Sequence, residues 1–269
     1  MSSWRDLVVG TENCLWCDGL YDGMLSWTWA VGLWKEEKLC PQCYEKLEPI
    51  TEIACEECGR PASSIWMPRT EKEVAGKEAG PGKKCFDCIR WAKGKPWDEC
   101  SFQHRALYVY NPFMQELLSR FKYRGDVELA TIFQWQLKKL ARKLGTFEIV
   151  TTIPLKDKRH WERGFNQGDA LSKQFSTTPL LQFKQSHSER KQSKRSREER
   201  IRDLKGVFQL KEEVIPLIKG KEVLIIDDIY TTGATLRSAA ETLYCHGAKR
   251  VCTVTVARST GELKVSTDK

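Results

Sequence analysis

Val223-Leu-Ile-Ile-Asp-Asp-Ile-Tyr-Thr-Thr-Gly-Ala-Thr235 passes from apolar to acidic to hydroxyl-rich within one short stretch. Val223 to Ile226 are consecutive β-favouring residues, the composition of a strand buried on both faces of a parallel sheet. Asp227 and Asp228 close that strand. Tyr230, Thr231, Thr232, Gly233, Ala234 and Thr235 then form a small, hydroxyl-rich loop that opens a helix. A helix start offers unpaired backbone N–H groups and the positive end of a dipole to an anion. Gly233 allows close approach or positive φ, and the threonines add hydroxyl donors. The two carboxylates repel an anion and need another partner, which sugar hydroxyls supply, directly or near Mg²⁺. A sugar phosphate satisfies both halves. The competing reading is a strand ending in an exposed Asp-Asp with a threonine helix cap.

Outward from this stretch, short apolar segments alternate with helical ones. Strands are expected at 147–154 (FEIVTTIP), 222–227 (EVLIID) and 251–256 (VCTVTV), with helices at about 165–175 and 234–245. Such alternation gives an α/β fold with an open, mostly parallel sheet. Upstream lie a short strand from Ala106 (ALYVY) and the helix PFMQELLSRFKY, with Phe113, Leu117, Leu118 and Phe121 on one face. A second helix is expected from Val127 to Leu144, with Gly145 as its stop. Ligands of open α/β sheets bind outside the carboxyl ends of the strands. The acid pair and threonine loop fall there, and their spacing resembles the phosphoribosyl pyrophosphate (PRPP) motif of the type I phosphoribosyltransferases.

The first 98 residues differ in kind. They hold eight of the eleven cysteines in four Cys-x-x-Cys pairs, and eight of the ten tryptophans. The pairs are Cys14/Cys17, Cys40/Cys43, Cys55/Cys58 and Cys85/Cys88. Each Cys-x-x-Cys turn aims two sulfurs at one metal, and two turns complete the tetrahedral shell of a structural zinc site. Two zinc ions are expected, paired sequentially because that needs only local loop closure, with crossed pairing left open and redox disulfides or unrelated core thiols as the alternatives. Cys100, Cys245 and Cys252 stand outside the pattern and are read as buried residues. Trp16, Trp27, Trp29, Trp34, Trp66, Trp91 and Trp97 are core residues or stacking faces for single-stranded nucleic acid. His104, His160, His187 and His246 show no ligand spacing. The expected division is a cysteine-rich double zinc-ribbon-like domain at 1–98 and a second domain at 99–269.

The balance of 44 basic against 36 acidic residues, a net charge of +8, favours anionic partners. No apolar run is long enough to cross a bilayer, and the first residues do not read as a signal peptide, so a cytoplasmic location is expected. Residues 183–205 carry nine Lys or Arg against four acids and are too polar for a core. The polar run Thr70–Lys84 reads as an exposed loop.

Three further segments add to the acid-pair stretch: Leu118-Ser-Arg-Phe-Lys-Tyr-Arg-Gly-Asp126, Arg163-Gly-Phe-Asn-Gln167 and Gln192 to Phe208. Together with the Cys-x-x-Cys pairs and in this order, they resemble the ComF family, whose members are linked to natural DNA transformation and, in some bacteria, to gluconate utilisation. The resemblance covers about Cys14 to Arg258. It implies a type I phosphoribosyltransferase-like domain behind a zinc-binding domain, in a cytoplasmic protein that handles incoming single-stranded DNA. It also implies that the turn after the first core strand, with Lys156, meets pyrophosphate, and that Arg163, Asn166 and Gln167 meet pyrophosphate or ribose. The stretch Arg163 to Gln167 also reads as a helix cap with surface polar residues. The basic segment occupies the place of the transferases' mobile active-site loop. Asp203 stands where the family usually has Asn and receives no role.

Two function classes follow, ahead of a purely structural scaffold, which would leave the acid pair and threonine loop without a ligand. One is a competence protein that binds PRPP or a similar sugar phosphate and assists DNA uptake with a helicase-like partner. The other is a Mg²⁺-dependent phosphoribosyltransferase, with Asp227 and Asp228 stabilising a cation-like transition state at ribose C1.

Overall fold

A computed structural model describes residues 11–22, 38–63, 84–92, 96–97, 99–184 and 206–260. Trp27, Trp29, Trp34, Trp66, His187, Asp203, the basic run from 185 to 205 and all of the 70–84 loop but Lys84 lie outside them.

The cysteine-rich segment contributes the hairpin β1 (Thr11–Asn13) and β2 (Leu20–Asp22) and the short helices α1 (Pro41–Tyr44) and α2 (Phe86–Trp91). There follow β3 (Phe102–Val109), α3 (Pro112–Tyr123), α4 (Thr131–Leu144), β4 (Ile149–Thr152), α5 (Asp157–Arg163) and α6 (Gln167–Leu171). The chain continues through β5 (Leu181–Phe183), β6 (Phe208–Leu210), α7 (Ile215–Ile218), β7 (Glu222–Tyr230), α8 (Ala234–Cys245) and β8 (Arg250–Arg258). The main sheet has the order β3-β8-β7-β4, and every pairing in it is parallel. The expected α/β architecture is therefore present.

Local chemistry sets the element ends. Asn111 caps α3 by accepting the Met114 N–H at 2.8 Å, and Pro112 supplies a first helical residue whose missing N–H costs nothing. The segment expected as one helix from Val127 begins instead with a 3₁₀ turn over Val127–Ala130, tightened by a bond from the Thr131 hydroxyl to the Glu128 carbonyl. The expected helix at 165–175 is two shorter ones. Gly164, at φ +75°, ends α5, and Asn166 starts α6 by accepting the Gly168 N–H at 2.8 Å.

The sheet divides the interior. Leu224, Ile226, Val254 and Val256 face one core with Leu117, Leu118, Phe121, Phe133 and Leu137 of α3 and α4. Val223, Ile225 and Val251 face the other, with Leu236, Ala239, Ala240 and Leu243 of α8 and Leu181 and Phe208 of the β5–β6 ribbon. The cysteine-rich segment straddles this divide. Its residues 48–57 run along the open edge of β3, through Val109 N–H to Glu48 O (2.8 Å), Ile50 N–H to Leu107 O (2.9 Å) and His104 N–H to Glu57 O (2.8 Å). An edge strand that would otherwise expose unpaired backbone is thereby covered. Cys14, Cys40 and Cys43 join the first core; Cys55, Cys58 and Cys88 join the second.

Candidate functional site

β7 runs three residues beyond the expected end at Asp227, because its pairing with β8 continues through Asp227–Thr255, Ile229–Ala257 and Tyr230–Arg258. The acid pair thus lies inside the strand's carboxyl end, and Tyr230 belongs to the strand rather than to the loop. Its ring turns back beneath Gly233. A Cβ on Gly233 would fall 2.1 Å from the Tyr230 hydroxyl oxygen, and Gly233 takes φ +80°, so only glycine fits. Helix α8 then starts at Ala234, with the Arg237 N–H bonded to the Gly233 carbonyl at 2.9 Å. Thr231 is exposed, Thr232 and Thr235 are half-buried, and the Thr232 hydroxyl accepts the Ala234 N–H at 3.3 Å.

Asp228 is buried and Asp227 half-buried. Burial and the neighbouring Asp228 carboxylate push the Asp227 carboxyl well above the usual carboxylate range. Lys122, near the end of α3, forms an ion pair with Asp228. Burial alone would lower the Lys122 ammonium, but the charge of Asp228, its hydrogen bond and the charge of Asp227 outweigh this and raise it. Lys122 stands in the segment 118–126, to which the sequence attached no individual role. A lysine directly after the core residue Phe121 is the signal that could have found it.

The remaining expected residues gather at the carboxyl ends of β4 and β7. Lys156 follows β4, with its ammonium 5.4 Å from the centre of the Phe183 ring at the end of β5. Arg163 donates to Gln167 Oε1 at 2.8 Å and lies 5.3 Å above the Tyr123 ring. Gln167 is 3% exposed, and its Nε2 makes no hydrogen bond among the described residues, which leaves a buried donor available. Asn166 is occupied structurally: besides capping α6, its Nδ2 donates to Ile153 O at 3.0 Å and fixes the turn that carries Lys156. Gly168 brings α6 onto the sheet, where a Cβ would lie 2.9 Å from Thr152 Cβ.

The eight paired cysteines form two clusters, Cys14/Cys17/Cys40/Cys43 and Cys55/Cys58/Cys85/Cys88, each with all sulfurs within 4.8 Å of one another. The pairing is sequential. Sulfur separations of 3.8 Å (Cys17–Cys40), 3.7 Å (Cys55–Cys88) and 3.6 Å (Cys58–Cys85) match the edge of about 3.8 Å that a zinc–sulfur bond of about 2.3 Å gives a tetrahedron. Both clusters suit a structural zinc ion.

The second cluster reaches the acid-pair loop through two buried arginines that the sequence reading did not single out. Arg258 donates to the Cys58 carbonyl at 2.9 Å and to Cys58 Sγ at 3.1 Å, and lies 4.8 Å from the Tyr230 ring. Arg237, on the first turn of α8, donates to Glu57 Oε1 at 2.6 Å and Cys88 Sγ at 3.3 Å. Trp91, Trp97 and Phe102 surround its guanidinium at 5.3, 5.2 and 4.2 Å. Their signal was faint: an arginine within a helix of Ala, Leu and Ser, and another ending an apolar strand. His104 is fully buried between Cys58 O and the Thr255 hydroxyl, and burial lowers its pKa to about 3. Its role is packing.

The tryptophans divide unexpectedly. Trp97 is buried and Trp16 and Trp91 are half-buried in the cysteine-rich segment, whereas Trp161, on α5, is 88% exposed. Tyr123 is 73% exposed. No helix among the described residues is long and apolar enough to cross a membrane.

Comparison with known proteins agrees with this architecture. Residues 137–269 match the family model of the phosphoribosyl transferase domain. The chain is 33% identical over 252 residues to the competence protein ComFC of Bacillus subtilis, covering 91% of this chain and 95% of that protein. It is 30% identical over 247 residues to ComFC of Streptococcus pneumoniae, covering 91% and 100%. With the DNA utilization protein YhgH of Escherichia coli the identity is 27% over 233 residues, covering 82% and 89%. A parallel sheet with a phosphoribosyl transferase domain, two four-cysteine clusters and full-length likeness to ComFC place the chain in the ComF family of competence proteins.

Proposed function

We propose that the chain binds PRPP or a similar sugar phosphate and assists the uptake or processing of transforming single-stranded DNA in the cytoplasm. In this reading residues 1–98 form the cysteine-rich domain and residues 99–269 the transferase-like one. The observation that carries it is the juxtaposition at the end of β7: a glycine-hinged threonine loop for the 5-phosphate, and beside it Asp227 and Asp228 for ribose hydroxyls. Lys156, Arg163 and the open amide donor of Gln167 suit the pyrophosphate, which brings its own Mg²⁺. Asn166 acts by holding the Lys156 turn. Calorimetric titration of PRPP with Mg²⁺ tests the reading: binding to the wild type and none to an Asp227→Ala/Asp228→Ala variant is expected, and a silent wild type rejects it.

For DNA, the support is α5. None of its side chains is buried, and it presents Trp161 among Lys158, Arg159 and Arg163. An exposed aromatic ring among cations is what a single strand stacks upon. A helicase-like partner of DNA uptake would act on the same strand. Single-strand affinity should fall with salt and fall about tenfold in Trp161→Ala, at about 1–3 kcal/mol per stacked base. Affinity indifferent to both removes α5 as the contact.

The second reading, a Mg²⁺-dependent phosphoribosyltransferase of an unidentified acceptor, draws on Tyr123. This exposed ring stacks with Arg163 and directly follows the Lys122 that pairs with Asp228, where an acceptor base could stack. Release of pyrophosphate from PRPP only when a nucleobase is added would establish transfer.

A further inference from the structure

Two adjacent carboxylates near a bound phosphate suggest a divalent cation, and a transferase-like site leads one to look for Mg²⁺ at Asp227 and Asp228. The surroundings of the pair do not fit one. Asp228 is 6% exposed, its Oδ2 is sealed from solvent, and that oxygen already meets the Lys122 ammonium. Asp227 Oδ1 accepts the Asp228 N–H at 2.9 Å. Arg163 is near enough for its charge to act on Lys122. Mg²⁺ requires near-octahedral coordination and keeps several of its waters. Here it would have to displace a buried ammonium or sit against it, with a guanidinium close by. The Lys122 ammonium already balances the Asp228 carboxylate before any metal arrives.

We propose that Lys122 is the resident cation of this site: its ammonium neutralises Asp228, so the acid pair receives ribose hydroxyls without a divalent metal. Mg²⁺ enters only as the counter-ion of a ligand's pyrophosphate. The inference rests on the sugar-phosphate reading above. A carboxylate has about four lone-pair positions, so Asp228 can hold an ammonium and still accept a hydroxyl. The ammonium also offsets half of the negative charge that the pair would turn toward a phosphate. Lys122 is held in place by its helix, because Leu118 and Phe121 are each 1% exposed in the core and Arg120 bonds Asp126 at 2.8 Å.

Ribose 5-phosphate is the discriminating probe, because it carries the phosphate and hydroxyls but no pyrophosphate. Calorimetric titration into the full chain should give the same Kd, within about twofold, in EDTA and in excess Mg²⁺. Lys122→Met should bind about tenfold more weakly in EDTA, as expected when one member of a largely desolvated charge pair is removed, and regain affinity when Mg²⁺ is added. Lys122→Arg, which keeps the charge, should stay close to wild type. Wild-type binding of ribose 5-phosphate that requires Mg²⁺ overturns the inference while leaving PRPP binding intact. So does Lys122→Met binding as wild type does in EDTA. Absence of binding in every condition, with PRPP also silent, overturns the parent reading and this one together. The wild-type comparison needs no variant, so a misfolded Lys122→Met leaves the test decisive.

Discussion

The two cysteine clusters have the same ligands and similar spacing, yet they meet the transferase domain differently. The first lies on the α3–α4 side of the sheet with Cys17 exposed, and Arg120 of α3 reaches its segment through the Trp16 carbonyl at 2.8 Å and the Trp16 ring. The second is bonded through its sulfurs to Arg237 and Arg258. A zinc ion with four thiolates carries a net charge of −2, and in a poorly solvated interior that charge requires compensation. Two buried guanidiniums provide +2. One of them opens α8, and the other lies against the tyrosine that supports Gly233. The same sequence pattern thus serves once as a clamp on a helix and once as the floor of the candidate phosphate loop.

The most severe way to break this comparison is Arg237→Met. It leaves Glu57 and the second cluster short of a positive charge in a site where Arg237 itself is fully buried. Lys84, 3.2 Å from the other Glu57 oxygen, compensates in part. A loss of about 3 kcal/mol is expected, the low end for removing one member of a buried ion pair. Thermal denaturation should show a lower midpoint, and a colorimetric chelator should extract one zinc faster than the other. Equal rates for both ions would mean that the clusters are equivalent after all.

Gly233→Ala tests the next link. The left-handed conformation costs a residue with Cβ about 1–2 kcal/mol, and the methyl would strike Tyr230. Tyr230 cannot yield freely, because its ring is 4.2 Å from that of His104 and lies beside Arg258. PRPP affinity should fall about tenfold or more, at about 1.4 kcal/mol per decade. Unchanged affinity would show that the ring and the loop are independent.

How much of this was legible in the sequence follows from the range of the forces. Helix α8 was readable to the residue, because Gly233 and the apolar spacing behind it are local signals. The end of β7 was misjudged because an acid pair looks like a strand terminus, while ladder bonds to β8 carry the strand onward. The cysteine ligands were legible from spacing, although sequential pairing became definite only in three dimensions. Lys122, Arg237 and Arg258 left only faint signals, for a different reason. Arg237 and Arg258 lie 149 and 200 residues from the sulfurs they meet, and no periodicity encodes such a contact. Asn166 was ambiguous between ligand and cap, and its two oriented hydrogen bonds come from the turn it joins.

A smaller effect, of opposite sign, is expected from Asp227→Asn. Burial and Asp228 raise the Asp227 carboxyl in the folded chain, so folding favours its protonated form. That stabilisation is complete below the unfolded value of about 4 and is lost as pH rises through the higher folded value. At neutral pH the carboxylate is therefore a liability. The asparagine variant should melt about 2–4 °C higher there, the equivalent of roughly 1 kcal/mol in a domain of this size, while losing sugar-phosphate binding. Acidification to about pH 4 should narrow the gap. A variant that melts lower than wild type at neutral pH would show that Lys122 more than offsets the repulsion within the pair.

The mildest intervention is Arg120→Ala, on the side of the first cluster. Its ion pair with Asp126 is about one-quarter exposed at both ends, and such pairs contribute about 0.2–1 kcal/mol. Its contact with Trp16, at 5.6 Å, adds about 0.5–1 kcal/mol. A midpoint shift well below that of Arg237→Met is expected. Arg120 and Lys122 are two residues apart on α3, about 200° around the helix at 3.6 residues per turn, so they address opposite sides. Loss of the Trp16 contact should therefore leave Lys122 on Asp228, and ribose 5-phosphate affinity should change by less than about twofold. A larger change would mean that α3 transmits the state of the first cluster to the acid pair, so that both clusters, by different routes, govern the same ligand.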